Sequence, residues 1–220
     1  MSKVKQFFIP VSLTENLKPV EYICVDNSDK HFKSHYPAME MITENIENGD
    51  DYEIVVLKTV DYENKPGSNG YKSTNEKSND NYKILIDELK ENFSEKNIEF
   101  SEENLSVIEI SYDENREKHM QLFNRICHKY QKNAEIYADI TYGNKPTVVA
   151  IISSLIYAER VNDCFVCGIS YGEYSHDNEI GKVYDVRCLY ELSCLVNTAS
   201  RLPGLDVSSV IDKFGGTNNE

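Results

Sequence analysis

Short apolar runs alternate along this chain with stretches that carry an apolar residue at every third or fourth position. Phe7-Phe8-Ile9-Pro10-Val11, residues 52–57, 105–110, 134–140 and 164–170 are nearly continuous apolar segments rich in β-branched or aromatic residues. Such runs predict strands covered on both faces. Pro10 marks the first of them as an edge or a strand end. Between the runs the spacing turns helical. Pro37 fits the first turn of a helix carrying Met39, Ile42 and Ile46, and Tyr82, Leu85, Leu89 and Phe93 form one stripe. A helix from about 114 to 130 turns Met120, Phe123, Cys127 and Tyr130 toward the sheet. Pro146 opens a helix with Val148, Val149, Ile151, Ile152, Leu155 and Ile156, apolar on nearly every side, as expected in a domain centre or at a subunit interface.

Residues 14–36 are mixed and polar and read as loop, and residues 62–81, rich in Asn, Ser, Lys and Gly, read as a mobile surface loop and a candidate lid. After a polar loop between Gly172 and Gly181, Lys182 to Val186 returns antiparallel as a hairpin, and a last helix spans Leu189 to Ala199 before the break at Pro203-Gly204. The fourfold alternation of strand and helix predicts an α/β class: a Rossmann-like, mostly parallel sheet with helices on both faces and a C-terminal β-hairpin. One domain is expected over residues 1–200, followed by a short tail, 201–220.

Charge narrows the function. The 220 residues hold 37 acidic against 23 basic side chains, a net charge of −14, whose average field repels DNA, RNA and anionic lipid. A long nucleic-acid groove is therefore not expected. A small anion remains possible, because a few backbone amides and one cation act locally. No apolar run reaches the roughly 18 residues that span a bilayer, and no signal peptide is read at the start. A cytoplasmic protein with six reduced cysteines and no membrane partner is the expectation.

In parallel sheets ligands sit beyond the carboxyl ends of strands, where a helix begins with unpaired amides. Asp139 to Thr147 occupies that position in the predicted order. Thr141 offers a hydroxyl, Gly143 a close backbone approach, Lys145 a cation and the helix start a partial positive charge, which together form a phosphate cradle. The plainer alternative makes Gly143 and Asn144 a turn, Pro146 a helix opener and Lys145 a solvated charge. The segment is neither Gly-x-Gly-x-x-Gly nor a P-loop, and no cofactor or metal is expected. Cys164-x-x-Cys167 reads as buried thiols facing opposite sides of a strand. His31 and His35 lack a third ligand, and His176, Asp177 and Glu179 read as a solvated turn. Of the fifteen tyrosines most read as packing residues, with Tyr142 and Tyr171 the candidates for stacking on a base.

A strand ending in Asp139-Ile140-Thr141, then Gly143-Asn144-Lys145, the apolar helix 148–156, Gly172-Glu173-Tyr174 and Lys182-Val183-Tyr184-Asp185-Val186 together resemble the CARF family, the CRISPR-associated Rossmann fold domains. The order of elements is similar over about residues 5–200, and the resemblance is sharpest over 139–156. It implies a homodimer that binds a cyclic oligoadenylate, tetra- or hexa-adenylate, made in type III CRISPR antiviral defence. Carried over residue by residue, Thr141, Gly143, Asn144 and Lys145 match the ligand-binding turn and Ser12 and Leu13 match a second ligand-facing loop, with Tyr142 and Tyr171 as further ligand-binding candidates.

Many members have Gly-Gly-Thr-Lys where this chain has Tyr142-Gly143-Asn144-Lys145, which alters the phosphate contacts. Most also carry an effector domain, whereas about 20 residues follow Ala199 here. Arg116 to His119 and Arg125 to His128 are spaced too closely for a HEPN ribonuclease. The resemblance therefore implies either a ring nuclease or a sensor acting through a separate effector protein. In the first case a ribose 2′-hydroxyl attacks its own phosphodiester, Lys145 and Ser12 hold the catalytic positions, and 2′,3′-cyclic phosphates leave. A nucleotide-metabolising Rossmann enzyme is the third reading, for which no fingerprint is present.

Overall fold

The computed structural model describes residues 3–68, 70–174, 180–204, 206–208 and 211. In chain order the elements are β1 (Lys5–Pro10), β2 (Val20–Cys24), β3 (Asn27–Ser34), α1 (Ala38–Asn45), β4 (Tyr52–Val60), α2 (Thr74–Glu95), β5 (Leu105–Ser111), α3 (Arg116–Cys127), β6 (Glu135–Asp139), α4 (Lys145–Val161), β7 (Phe165–Tyr174), β8 (Ile180–Asp185) and α5 (Arg187–Ala199). All eight strands form one sheet in the order β3-β2-β8-β7-β6-β1-β4-β5. From β7 to β5 every neighbour is parallel, and β8 turns back antiparallel on β7 as the C-terminal hairpin. The fold is thus the α/β architecture that the alternating pattern predicts.

Successive residues of β1 face opposite sides, so Phe7 and Ile9 enter one core and Phe8 the other. The first core is closed by α1 and α2 through Met39, Ile42, Leu85, Leu89 and Phe93. The second is closed by α3, α4 and α5 through Leu122, Ile126, Ile151, Leu155 and Tyr190. Double cover explains why β1 and β4 read as continuous apolar runs. Pro10 ends β1, and Val11 still donates to the Leu57 carbonyl at 2.8 Å, so the proline sits at a strand end in the centre of the sheet rather than at an edge.

Three expectations are corrected. Residues 14–36 hold the hairpin β2–β3, whose Tyr22 and Cys24 are buried while Glu21 faces water, a half-covered alternation that a search for apolar runs passes over. The segment 62–81 is not one loop, because α2 starts at Thr74. Ser73 and Glu76 form a reciprocal cap, with Ser73 Oγ accepting from the Glu76 amide and Glu76 Oε2 accepting from the Ser73 amide. The first turns of α2 bury Ser78 and Asn81 rather than apolar residues, so no stripe announces them. The third correction covers part of one helix face, since Cys127 and Tyr130 are buried as expected. The buried residues of α3 are Leu122, Ile126 and Cys127, whereas Met120 is 57% exposed. The apolar α4 likewise buries Thr147, Ala150, Ile151, Ser154, Leu155 and Ala158 and leaves Val149 63% exposed.

Candidate functional site at the carboxyl ends of β1 and β6

From β1 the chain first makes the β2–β3 hairpin at the far end of the sheet, returns through α1 to β4 beside β1, continues outward to β5, then crosses back to β6 on the other side of β1 and on to β7. The carboxyl ends of β1 and β6 thus lie side by side between the strands that extend the sheet to β5 and those that extend it to β7, a reversal point of the kind at which open α/β sheets bind ligands. Both predicted segments, Ser12-Leu13 and Asp139–Thr147, meet there. Their closeness is measurable: a Cβ added to Gly143 would lie 3.3 Å from Pro10 Cβ.

Asp139 organises the turn. Its fully buried carboxylate accepts from Thr141 Oγ1 at 2.7 Å, from Ser170 Oγ at 2.9 Å and from the Thr141 amide at 3.2 Å. Burial pushes the carboxyl up to about 6, against the opposing pull of the hydrogen bonds from Thr141, Ser170 and the Tyr142 amide. The amides of Thr141 and Tyr142 are thus turned onto an anion that the chain itself supplies. The Thr141 hydroxyl has a second task, since its Oγ1 also accepts from the Gly172 amide at 2.8 Å and so fastens the turn to β7. Gly172 leaves no room for a side chain, because an added Cβ would lie 2.3 Å from Pro37 Cγ. Gly172-Glu173-Tyr174 is accordingly the end of β7, paired with Val183, Lys182 and Gly181, and not a turn.

Beyond Tyr142 the backbone turns left-handed at Gly143, φ +91°, where an added Cβ would also press on Thr147 Cγ2 at 3.2 Å. Asn144 is the helix N-cap and its Oδ1 accepts from the Thr147 amide at 3.0 Å. Pro146 has no amide hydrogen, so Gly143, Asn144 and Lys145 supply the backbone donors left at this corner. Lys145 is exposed, and among the described residues no ion pair holds its ammonium. The helix start and this cation make the one strongly positive point of the turn.

The remaining candidates fall differently. Ser12 is fully buried, its Oγ accepting from the Thr14 amide at 3.1 Å and its carbonyl from Asn81 Nδ2 at 2.8 Å. It is enclosed by protein, which does not suit the catalytic position expected of it. Leu13 is half-buried beside it. Tyr142 turns inward, where its hydroxyl donates to the His35 carbonyl at 2.9 Å and its ring meets Tyr36 edge-on at 5.3 Å. It is no platform for a base. Tyr171 is 40% exposed and stacks on Tyr184 with centroids 6.2 Å apart, so an aromatic surface stands on β7 next to Ser170 and Gly172.

Residues without a motif hold the site together. Asn81 donates to the carbonyls of Ser12 and Thr14 and accepts from the Tyr36 hydroxyl through its own carbonyl. Glu88 receives the His35 amide, and His35 Nδ1 stands 3.3 Å from Glu88 Oε2, while burial pushes the Glu88 carboxyl up. Buried polar residues on a long helix are the signal that marks such supports, but they resemble loop composition when read singly. Cys164 and Cys167 pack toward opposite cores, and His31 lies on β3. Residues 175–179, with His176, Asp177 and Glu179, lie outside the described residues. Among the described residues no helix is long and apolar enough to cross a membrane. No protein-family model and no curated protein matches the chain.

Proposed function

We propose that the chain is a homodimeric, CARF-like sensor that binds a cyclic oligoadenylate at the turn after β6. The observation that carries this reading is the Gly143–Lys145 corner, a left-handed glycine, a helix start and an exposed ammonium set at the reversal point of a parallel sheet. A phosphate of the ligand meets the free amides of residues 143–145 and the Lys145 ammonium, and Tyr171 offers its ring to an adenine. Next to this corner Pro146 and Val149 join Met120 and Phe123 in an apolar groove of about 640 Å³ between α3 and α4. A second copy seated on that groove brings a second Lys145 toward the first, so one ring spans two corners.

The committed hydroxyls support sensing over cleavage. Thr141 and Ser12 are spent on the fold, leaving Lys145 and the amides to stabilise charge if a ribose 2′-hydroxyl attacks in line. A sensor of this kind acts by changing its contacts with a separate effector protein. Calorimetry with cyclic tetra- and hexa-adenylate tests the reading. Binding of one ring, weakened at least about tenfold in Lys145→Ala, is expected from loss of a charge-assisted contact. Absence of binding to both rings overturns it. Chromatography of the nucleotide after long incubation separates the two modes: a sensor returns it intact, a ring nuclease returns linear products with 2′,3′-cyclic phosphate ends.

A further inference from the structure

We infer that the open edge of β5 is a docking groove for an extended acidic segment of another protein, which adds to the sheet as a further strand. Among the described residues β5 pairs with β4 alone. Tyr112 donates to the Val60 carbonyl at 2.8 Å, so in the alternation of a parallel ladder Ile108 and Ile110 turn their backbone groups to β4 and Val107 and Glu109 turn theirs outward. Arg125 Nη1 confirms the parity by donating to the Glu109 carbonyl at 2.7 Å from outside the sheet. The amide and carbonyl of Val107 and the amide of Glu109 face the groove. Folded proteins normally cover such an edge, and here an apolar residue, Val107, sits on it 41% exposed.

The edge is also roofed. Residues Gln121, Asn124, Arg125 and His128 of α3 and the following turn line, with it, an open groove of about 790 Å³. An added strand would lie about 4.8 Å from β5, under these side chains. Its backbone bonds the outward groups of Val107 and the Glu109 amide, the Glu109 carbonyl being held by Arg125, and every second side chain meets the roof. The roof selects for charge. In a chain of net charge −14, this groove presents Arg125 and Lys129, and Lys118 lines the adjoining cavity. Its single carboxylate, Glu109, accepts from the Tyr62 hydroxyl at 3.2 Å. An acidic strand is thus drawn to Arg125, Lys129 and Lys118 on a chain whose average field repels it.

The probe is a labelled peptide of alternating aspartate and valine, compared by fluorescence anisotropy with its lysine-for-aspartate copy on the full chain. The aspartate peptide should bind at least about tenfold more tightly and shift the amide resonances of 105–111. Val107→Pro removes only an outward amide, which an edge strand tolerates, and should weaken binding at least about tenfold with an unchanged melting temperature. If that variant fails to fold, Arg125→Glu on the exposed helix face should give the same loss. Lys145→Ala should leave peptide binding unchanged, which separates this groove from the nucleotide corner. Equal affinity for both peptides, no binding of either, or full binding in the variants overturns the proposal. So does a dimer in sedimentation that Val107→Pro dissociates, since the edge would then pair with a second copy.

Discussion

The loops leaving β1 and β6 occupy equivalent places at the reversal point of the sheet, yet one is shut and the other open. After β1, the Ser12 and Thr14 carbonyls are filled by Asn81 and the Ser12 hydroxyl by the Thr14 amide. After β6, Asp139 fills the first two amides of the turn, but the chain then pivots at Gly143 and leaves Gly143 and Lys145 exposed. Position in the fold sets where a ligand can approach. Which backbone groups the protein has already satisfied sets whether it finds a donor there.

Four substitutions probe that difference, taken from the largest expected effect. Asn81→Ala leaves two buried carbonyls without donors, and urea titration should show a loss of roughly 2–4 kcal/mol. Amide exchange of residues 12–14 should quicken, so the closed loop comes to behave like the open one. Asp139→Asn tests the anion that shapes the open turn. The folded carboxyl keeps its proton up to about 6, whereas its ordinary value is 3.8, so between these values the folded state binds more protons than the unfolded. Its contribution to stability therefore falls as pH rises through that window, by roughly 3 kcal/mol when ionisation is complete. Stability curves against pH should show this descent in the parent and not in the variant.

Gly143→Ala places a Cβ on a left-handed residue and within 3.2 Å of Thr147. A loss of about 1–2 kcal/mol in thermal unfolding is expected, with the corner pushed away from Pro10. Asn144→Ala removes the N-cap of α4 and should cost about 1 kcal/mol in the same measurement. The Thr147 amide keeps its bond to the Asn144 carbonyl at 3.0 Å, so affinity for inorganic phosphate, read by chemical-shift titration, should hold. A fall in phosphate affinity would mean that the Asn144 side chain contacts the ligand directly, against the role described here.

The strands of the parallel half were legible because both of their faces are covered, which forces runs such as residues 52–57 to be apolar throughout. The corner at 139–147 was legible as a strand-to-helix turn, since Gly143 takes the left-handed conformation, Asn144 caps α4 and Pro146 stands in its first turn. The hairpin β2–β3 and the first turns of α2 were not, because their buried positions are filled by Tyr22, Ser78 and Asn81, whose polar neighbours look like loop.

The amino-acid pattern by itself determined the α/β class, the order of the parallel strands' helices and the place where backbone and cation converge. Only the tertiary structure decided which of those groups remain free. Thr141, Ser12 and Tyr142 are polar in sequence and spent in space, for their partners Gly172, Thr14 and His35 reach them through the packing of separate elements and the path of local turns. Hydrogen-bond capacity is written in a residue's chemistry, but its availability depends on which neighbours the fold brings within 3 Å or so, and that is a property of the assembled sheet.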